Sequence, residues 1–145
     1  MPKIEVRLPE EFLLKLSRLG DKTDEIIPKV LEAGGEVVLA RVRSNLSAVI
    51  GRGTKTKSRS TGELQRALGL SKALPKRDGS GWDAKVGFAE PRRGKGGSNA
   101  KIANIIEYGK HGQPAKPFLK PARSQSRKAA LEAMEEKLKR ELERI

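Results

Sequence analysis

Apolar Ile4, Val6 and Leu8 alternate with polar Lys3, Glu5 and Arg7, which predicts a short strand with one buried side. Pro9-Glu10-Glu11 then opens a helix, because proline and acids suit a first turn. Phe12, Leu13, Leu16 and Leu19 form its apolar stripe, and Gly20 stops it. A longer helix is predicted from about Asp24 to Val49, with Asp21, Thr23 and Asp24 as capping candidates and Pro28 in its first turn. Ile27, Val30, Leu31, Val37, Val38, Val42 and Leu46 keep one broad face of it apolar. Gly34-Gly35 interrupts this helix, where each glycine costs about 1 kcal/mol relative to alanine. The stripe stays in phase across the pair, so the glycines mark a kink or the close approach of another backbone, not a break.

The run from Gly51 to Ser60 has no apolar residue and reads as a loop. Ser60 or Thr61 caps a short helix containing Leu64, Ala67 and Leu68; with Ser60 as cap, Glu63 completes a capping box. Two strands are predicted at Leu70–Leu74 and Gly81–Ala89, joined as a hairpin through Asp78-Gly79-Ser80-Gly81. In the second, Trp82, Ala84, Val86 and Phe88 share the buried face, and Asp83, Lys85 and Gly87 the wet one. Glu90 to Ser98 is a second Gly-rich basic loop, after which Asn99 caps a helix through Tyr108 and Gly109 ends it. A Pro-rich link leads into a long C-terminal helix from about Leu119, with Leu131, Met134, Leu138, Leu142 and Ile145 at helical spacings. Tyr108, Pro117 and Phe118 form a compact apolar group around the turn between these helices. That group either closes its own corner or meets another subunit.

A chain of 145 residues is expected to form one domain, here 1–145 with basic loops at 51–60 and 90–98. Without cysteine, disulfides, thiolate metal sites and a cysteine nucleophile are excluded. The N-terminus lacks the apolar run of a signal peptide, and no stretch approaches the roughly 20 apolar residues that span a bilayer, so no membrane partner is expected. The net charge of +13 is the strongest bulk signal, and it favours polyanions or acidic protein faces as neighbours. Arg52, Lys55, Lys57 and Arg59 in the first loop, and Arg92 and Arg93 in the second, are the candidates for such contacts. Lys116, Lys120, Arg123, Arg127 and Lys128 cluster around the start of the last helix, against its macrodipole. Aromatic residues are not interleaved with these charges, so contact with nucleic acid would be with phosphates, salt-sensitive and blind to sequence.

Candidate chemistry is nearly absent. His111 is the sole histidine and sits between Lys110 and Gly112, as a solvated turn residue would. Gly51-Arg52-Gly53-Thr54-Lys55-Thr56 lacks the spacing of a phosphate-binding loop and follows a helix instead of a strand. Glu10, Glu11, Asp21, Asp24 and Glu25 fall at helix starts, where they suit the macrodipole, and nothing pairs them as acid and base. No catalytic residue, cofactor or metal ligand is expected, and the chain is not expected to be an enzyme.

Four elements occur in a recognisable order: Thr61-Gly62-Glu63-Leu64; the hairpin ending Lys85-Val86-Gly87-Phe88; Ile106-Glu107-Tyr108-Gly109; and Pro114-Ala115-Lys116-Pro117-Phe118-Leu119-Lys120-Pro121-Ala122. Together they resemble the neck proteins of long-tailed double-stranded DNA bacteriophages and prophages, described as head–tail joining or tail-completion proteins. The likeness runs from the first helix onward and is best from Thr61 to Ala122. It implies an α+β fold, with helices packed on a small antiparallel sheet that includes a β-hairpin, and a long C-terminal helix. It also implies a structural virion protein, made in the host bacterial cytoplasm, that forms a closed six-fold ring at the head–tail junction. The ring's partners would be further copies of itself, the head connector, the tail tube and, non-specifically, the DNA passing through. Ring subunits need head-to-tail faces. Tyr108, Pro117, Phe118, Leu131 and Leu138 are the contact candidates, together with the edge strands of the sheet. The basic run from Gly51 to Ser60 departs from the family's proline-containing approach to the Thr-Gly helix. That loop would face the DNA channel, dock on an acidic ring, or order on assembly. The alternative reading is a basic protein binding double-stranded nucleic acid non-specifically through phosphates.

Overall fold

A computed structural model of the chain describes residues 3–9, 14, 23–49, 63–77, 81–89 and 99–143. The elements bounded within these described residues are β1 (Ile4–Arg7), α1 (Thr23–Val49), α2 (Glu63–Ala67), β2 (Leu68–Leu70), β3 (Leu74–Pro75), β4 (Trp82–Phe88), α3 (Asn99–Tyr108) and α4 (Leu119–Glu143). The architecture is α+β, with helices on a small antiparallel sheet, as the motif resemblance implies. The stripe of Phe12, Leu13, Leu16 and Leu19 and both basic loops lie outside the described residues. Within that first predicted helix, Leu14 alone is described beyond Pro9, and it is helical and exposed.

β4 is the central strand. β1 pairs along one edge, with Ile4 opposite Val86 and Val6 opposite Ala84. β2 and β3 share the other edge, Leu70 opposite Val86 and Leu74 opposite Asp83. Period-two alternation therefore puts Ile4, Val6, Leu68, Ala84 and Val86 on one buried face. On the opposite face Arg7 donates to Glu5 at 2.8 Å, and this hydrogen bond holds the Glu5 carboxyl below its ordinary range. The strand predicted at Leu70–Leu74 is broken in the middle. Ser71 causes the break: its amide donates to the Lys85 carbonyl, while its hydroxyl, in place of a backbone carbonyl, accepts from the Lys85 amide, both at 2.8 Å. Leu68, expected in the preceding helix, is the first residue of β2. The hairpin of β3 and β4 closes with the Lys76 amide on the Gly81 carbonyl at 2.7 Å.

α1 is one continuous helix lying between the sheet and α4. Its two glycines face different neighbours. A Cβ at Gly34 would stand 2.6 Å from Met134 Cγ of α4, and one at Gly35 would stand 2.6 Å from Leu70 Cδ1 of β2. The close approach is therefore by side chains on two sides, not by another backbone. Pro28 sits beyond the first turn, inside the helix. Val30, Leu31, Val42, Leu46, Val86 and Phe118 form the fully buried centre of the core.

Among the described residues, α4 packs along α1 in the most extensive contact between two elements. Its buried positions are Leu119, Ala122, Ser126, Ala130, Met134, Leu138 and Glu141, spaced three and four apart. The apolar stripe expected from Leu131 onward is thus mostly core: Met134 and Leu138 are buried, and Leu131 lies on its exposed flank. Small residues carry the first half of the seam. Ser126 satisfies its hydroxyl on the Ala122 carbonyl of its own helix, at 2.6 Å.

Candidate functional site

The motif-bearing corner between α3 and α4 has a defined construction. α3 ends as the Gly109 amide donates to the Ile105 carbonyl at 2.7 Å. Gly109 has φ +80°, and a Cβ there would stand 2.8 Å from the Ala115 amide nitrogen and 2.9 Å from the Gln113 carbonyl oxygen. Both conformation and space therefore require glycine. Lys110 and Gln113 then exchange two backbone hydrogen bonds of 2.9 Å, and the Lys116 amide returns to the Ile106 carbonyl at 2.8 Å. His111 is exposed at the tip of this turn.

Glu107 joins the two helices. It is only 4% exposed. Its Oε2 accepts from the amides of Phe118 at 2.7 Å and Leu119 at 2.9 Å, and its Oε1 from the amide of Lys120 at 2.9 Å. A helix N-terminus leaves its first amides without intrahelical partners and carries a partial positive charge. Here one carboxylate from another helix answers both needs. A hydrogen bond to an ionised group typically contributes about 1.5–3 kcal/mol, and three that share one carboxylate contribute less than their sum. Asn45 of α1 adds a further tie, donating to the Phe118 carbonyl at 3.2 Å and to Gln125 Oε1 at 3.0 Å.

Phe118 is fully buried and meets Phe88 edge-on, with ring centroids 6.1 Å apart at 73°. Tyr108 is 70% exposed and Pro117 is exposed too, so the compact trio expected at this corner does not form. The helical repeat explains the difference. Ala103 and Glu107 lie four apart and face inward, whereas the next residue, Tyr108, is turned about 100° away. Of the five apolar contact candidates, Phe118 and Leu138 belong to the monomer's own core, while Tyr108, Pro117 and Leu131 are on the surface. Leu131 lines a groove of about 740 Å³ between β1 and α4, with Val38, Met134, Arg123 and Arg127. Arg52, Lys55, Lys57, Arg59, Arg92 and Arg93 lie outside the described residues. Among the described residues no group of three or more His, Cys, Asp or Glu side chains is placed to hold a metal ion, and no helix is long and apolar enough to cross a membrane.

Reading the sequence alone missed Glu107, Asn45 and the small-residue seam. Glu107 lies twelve residues ahead of Leu119, too far for any local capping pattern. The signal that was available is a start to α4 with no acid of its own.

The family model described as "Bacteriophage HK97-gp10, putative tail-component" matches residues 10–109, more than half of the chain. The chain belongs to the HK97 gp10-like family. It is thus a bacteriophage tail component, in agreement with its resemblance to phage neck proteins, and the family is a structural one within the virion. The span matched to the HK97 gp10-like family includes Glu107 and Gly109 and stops short of Pro114–Ala122, the segment that Glu107 holds. No curated protein and no solved structure matches the chain.

Proposed function

We propose that this HK97 gp10-like protein is a single-domain, non-enzymatic ring subunit at the head–tail junction. It ends tail growth and docks the tail on the head connector while DNA passes through the centre of a six-fold ring. Family membership over residues 10–109 carries the reading. The corner supports it: Glu107 and Gly109 fix the angle between α3 and α4, and that rigid frame presents Tyr108 and Pro117 outward. These two residues and Leu131 are the surface positions assigned to subunit or partner contact. Arg52, Lys55, Lys57, Arg59, Arg92 and Arg93 are assigned to docking on an acidic neighbour or to passing DNA.

Negative-stain micrographs of lysates from a phage lacking the gene test this function. The expected result is separate heads and tails that become joined when the protein is supplied. Normally joined particles without it would refute the proposal.

A further inference from the structure

α1 and α4 run antiparallel: Lys29 pairs with Glu141 at 3.6 Å, Gly34 meets Met134, and Asn45 bonds to Gln125. This places the second half of α1 beside the first half of α4. That end of the layer exposes Arg41, Arg43, Lys120, Arg123, Arg127 and Lys128, and there is no acid in residues 37–49 or 119–131. At the opposite end α1 exposes Asp24, Glu25 and Glu32, and α4 exposes Glu132, Glu135 and Glu136. Acids outnumber cations there among the described residues of the two helices.

Within one subunit the basic end is unfavourable, because its cations are neighbours with no acid on either helix between them. At the acidic end Lys29, Lys137 and Arg140 pair with Glu141 and Glu136 and offset part of the repulsion. The cations at the start of α4 also oppose its macrodipole. A polyanion on the basic end would relieve that repulsion and leave the acidic surplus of the other end unmatched. A second copy of the chain matches both ends, and both are two helices wide. We propose that the basic end of the α1–α4 layer of one copy docks on the acidic end of the next. This contact joins unlike faces, so it propagates head to tail and closes into a ring when the rotation allows. The inference rests on the self-association in the function proposed above and names the faces that would perform it.

Two charge-reversed chains test it: Arg123→Glu/Arg127→Glu/Lys128→Glu, and Glu132→Lys/Glu135→Lys/Glu136→Lys. Circular dichroism and thermal melts establish that each is folded, and sedimentation velocity reads assembly at low salt. The expected result is that wild type associates and that each variant alone associates at least about tenfold more weakly. An equimolar mixture should recover assembly, because two acidic ends then face two basic ends. Wild-type assembly should also weaken at about 1 M salt, where the screening length falls to about 3 Å. Folded variants that assemble like wild type would overturn this inference and leave the ring reading standing. A wild-type chain that stays monomeric throughout would overturn both. If reversal of the basic end abolished retention of double-stranded DNA and left assembly intact, that end would be a phosphate surface and the inference would fall.

Discussion

The two long helices lie side by side but begin in different ways. α1 carries Asp24 and Glu25 in its first turn, so its local sequence suits its own dipole. α4 has no acid in its first turn and exposes Lys120 and Arg123 near its start. Its opening amides are instead satisfied by Glu107, a residue of α3. The start of α1 draws on its own sequence, whereas the start of α4 depends on a fold already formed around it. The chain thereby places strong positive charge on an exposed helix start without losing the helix.

The largest effect that tests this contrast is expected at Phe118. Phe118→Ala removes the buried anchor of the α4 start and should lower stability by about 4 kcal/mol in urea denaturation. Glu107→Ala strands three amides at once and should destabilise by about 3 kcal/mol. Hydrogen exchange in that variant should show lost protection at Phe118, Leu119 and Lys120 while the amides of α1 stay protected; unchanged protection would break the contrast. Gly34→Val drives a branched side chain into Met134 and should cost about 2 kcal/mol. A neutral or stabilising result would mean that the Met134 side chain repacks without cost. The smallest effects carry the sharpest sign. Asp24→Asn should weaken the protein by about 0.3–0.5 kcal/mol and Lys120→Gln should strengthen it by about as much. Equal signs in paired denaturation curves would show that the two helix starts are not electrostatically opposed.

Legibility followed locality. The long helix α1, the alternation in β4 and the glycine that ends α3 could all be read from the sequence, because each rests on a short-range period or on one residue's conformational range. The side-by-side glycines could be placed on one helix, but the two neighbours that need the space, Met134 and Leu70, come from distant elements. The break between β2 and β3 hangs on one serine hydroxyl entering the ladder, which no hydropathy pattern carries. Aromatic character suggested that Tyr108 and Phe118 would pack together, yet position on the helix decides that Tyr108 points outward. Family membership rests on a match over residues 10–109 and needed no side-chain geometry. The segregation of charge depends on the antiparallel pairing of α1 and α4, which brings their like ends together and which neither helix's sequence carries alone.

Electron microscopy of virions carrying a gold label on this chain would locate the subunit in the particle. Label is expected in a single band where head meets tail, averaging to a six-fold ring. Label spread along the tail shaft, or absent from intact particles, would contradict the proposed function.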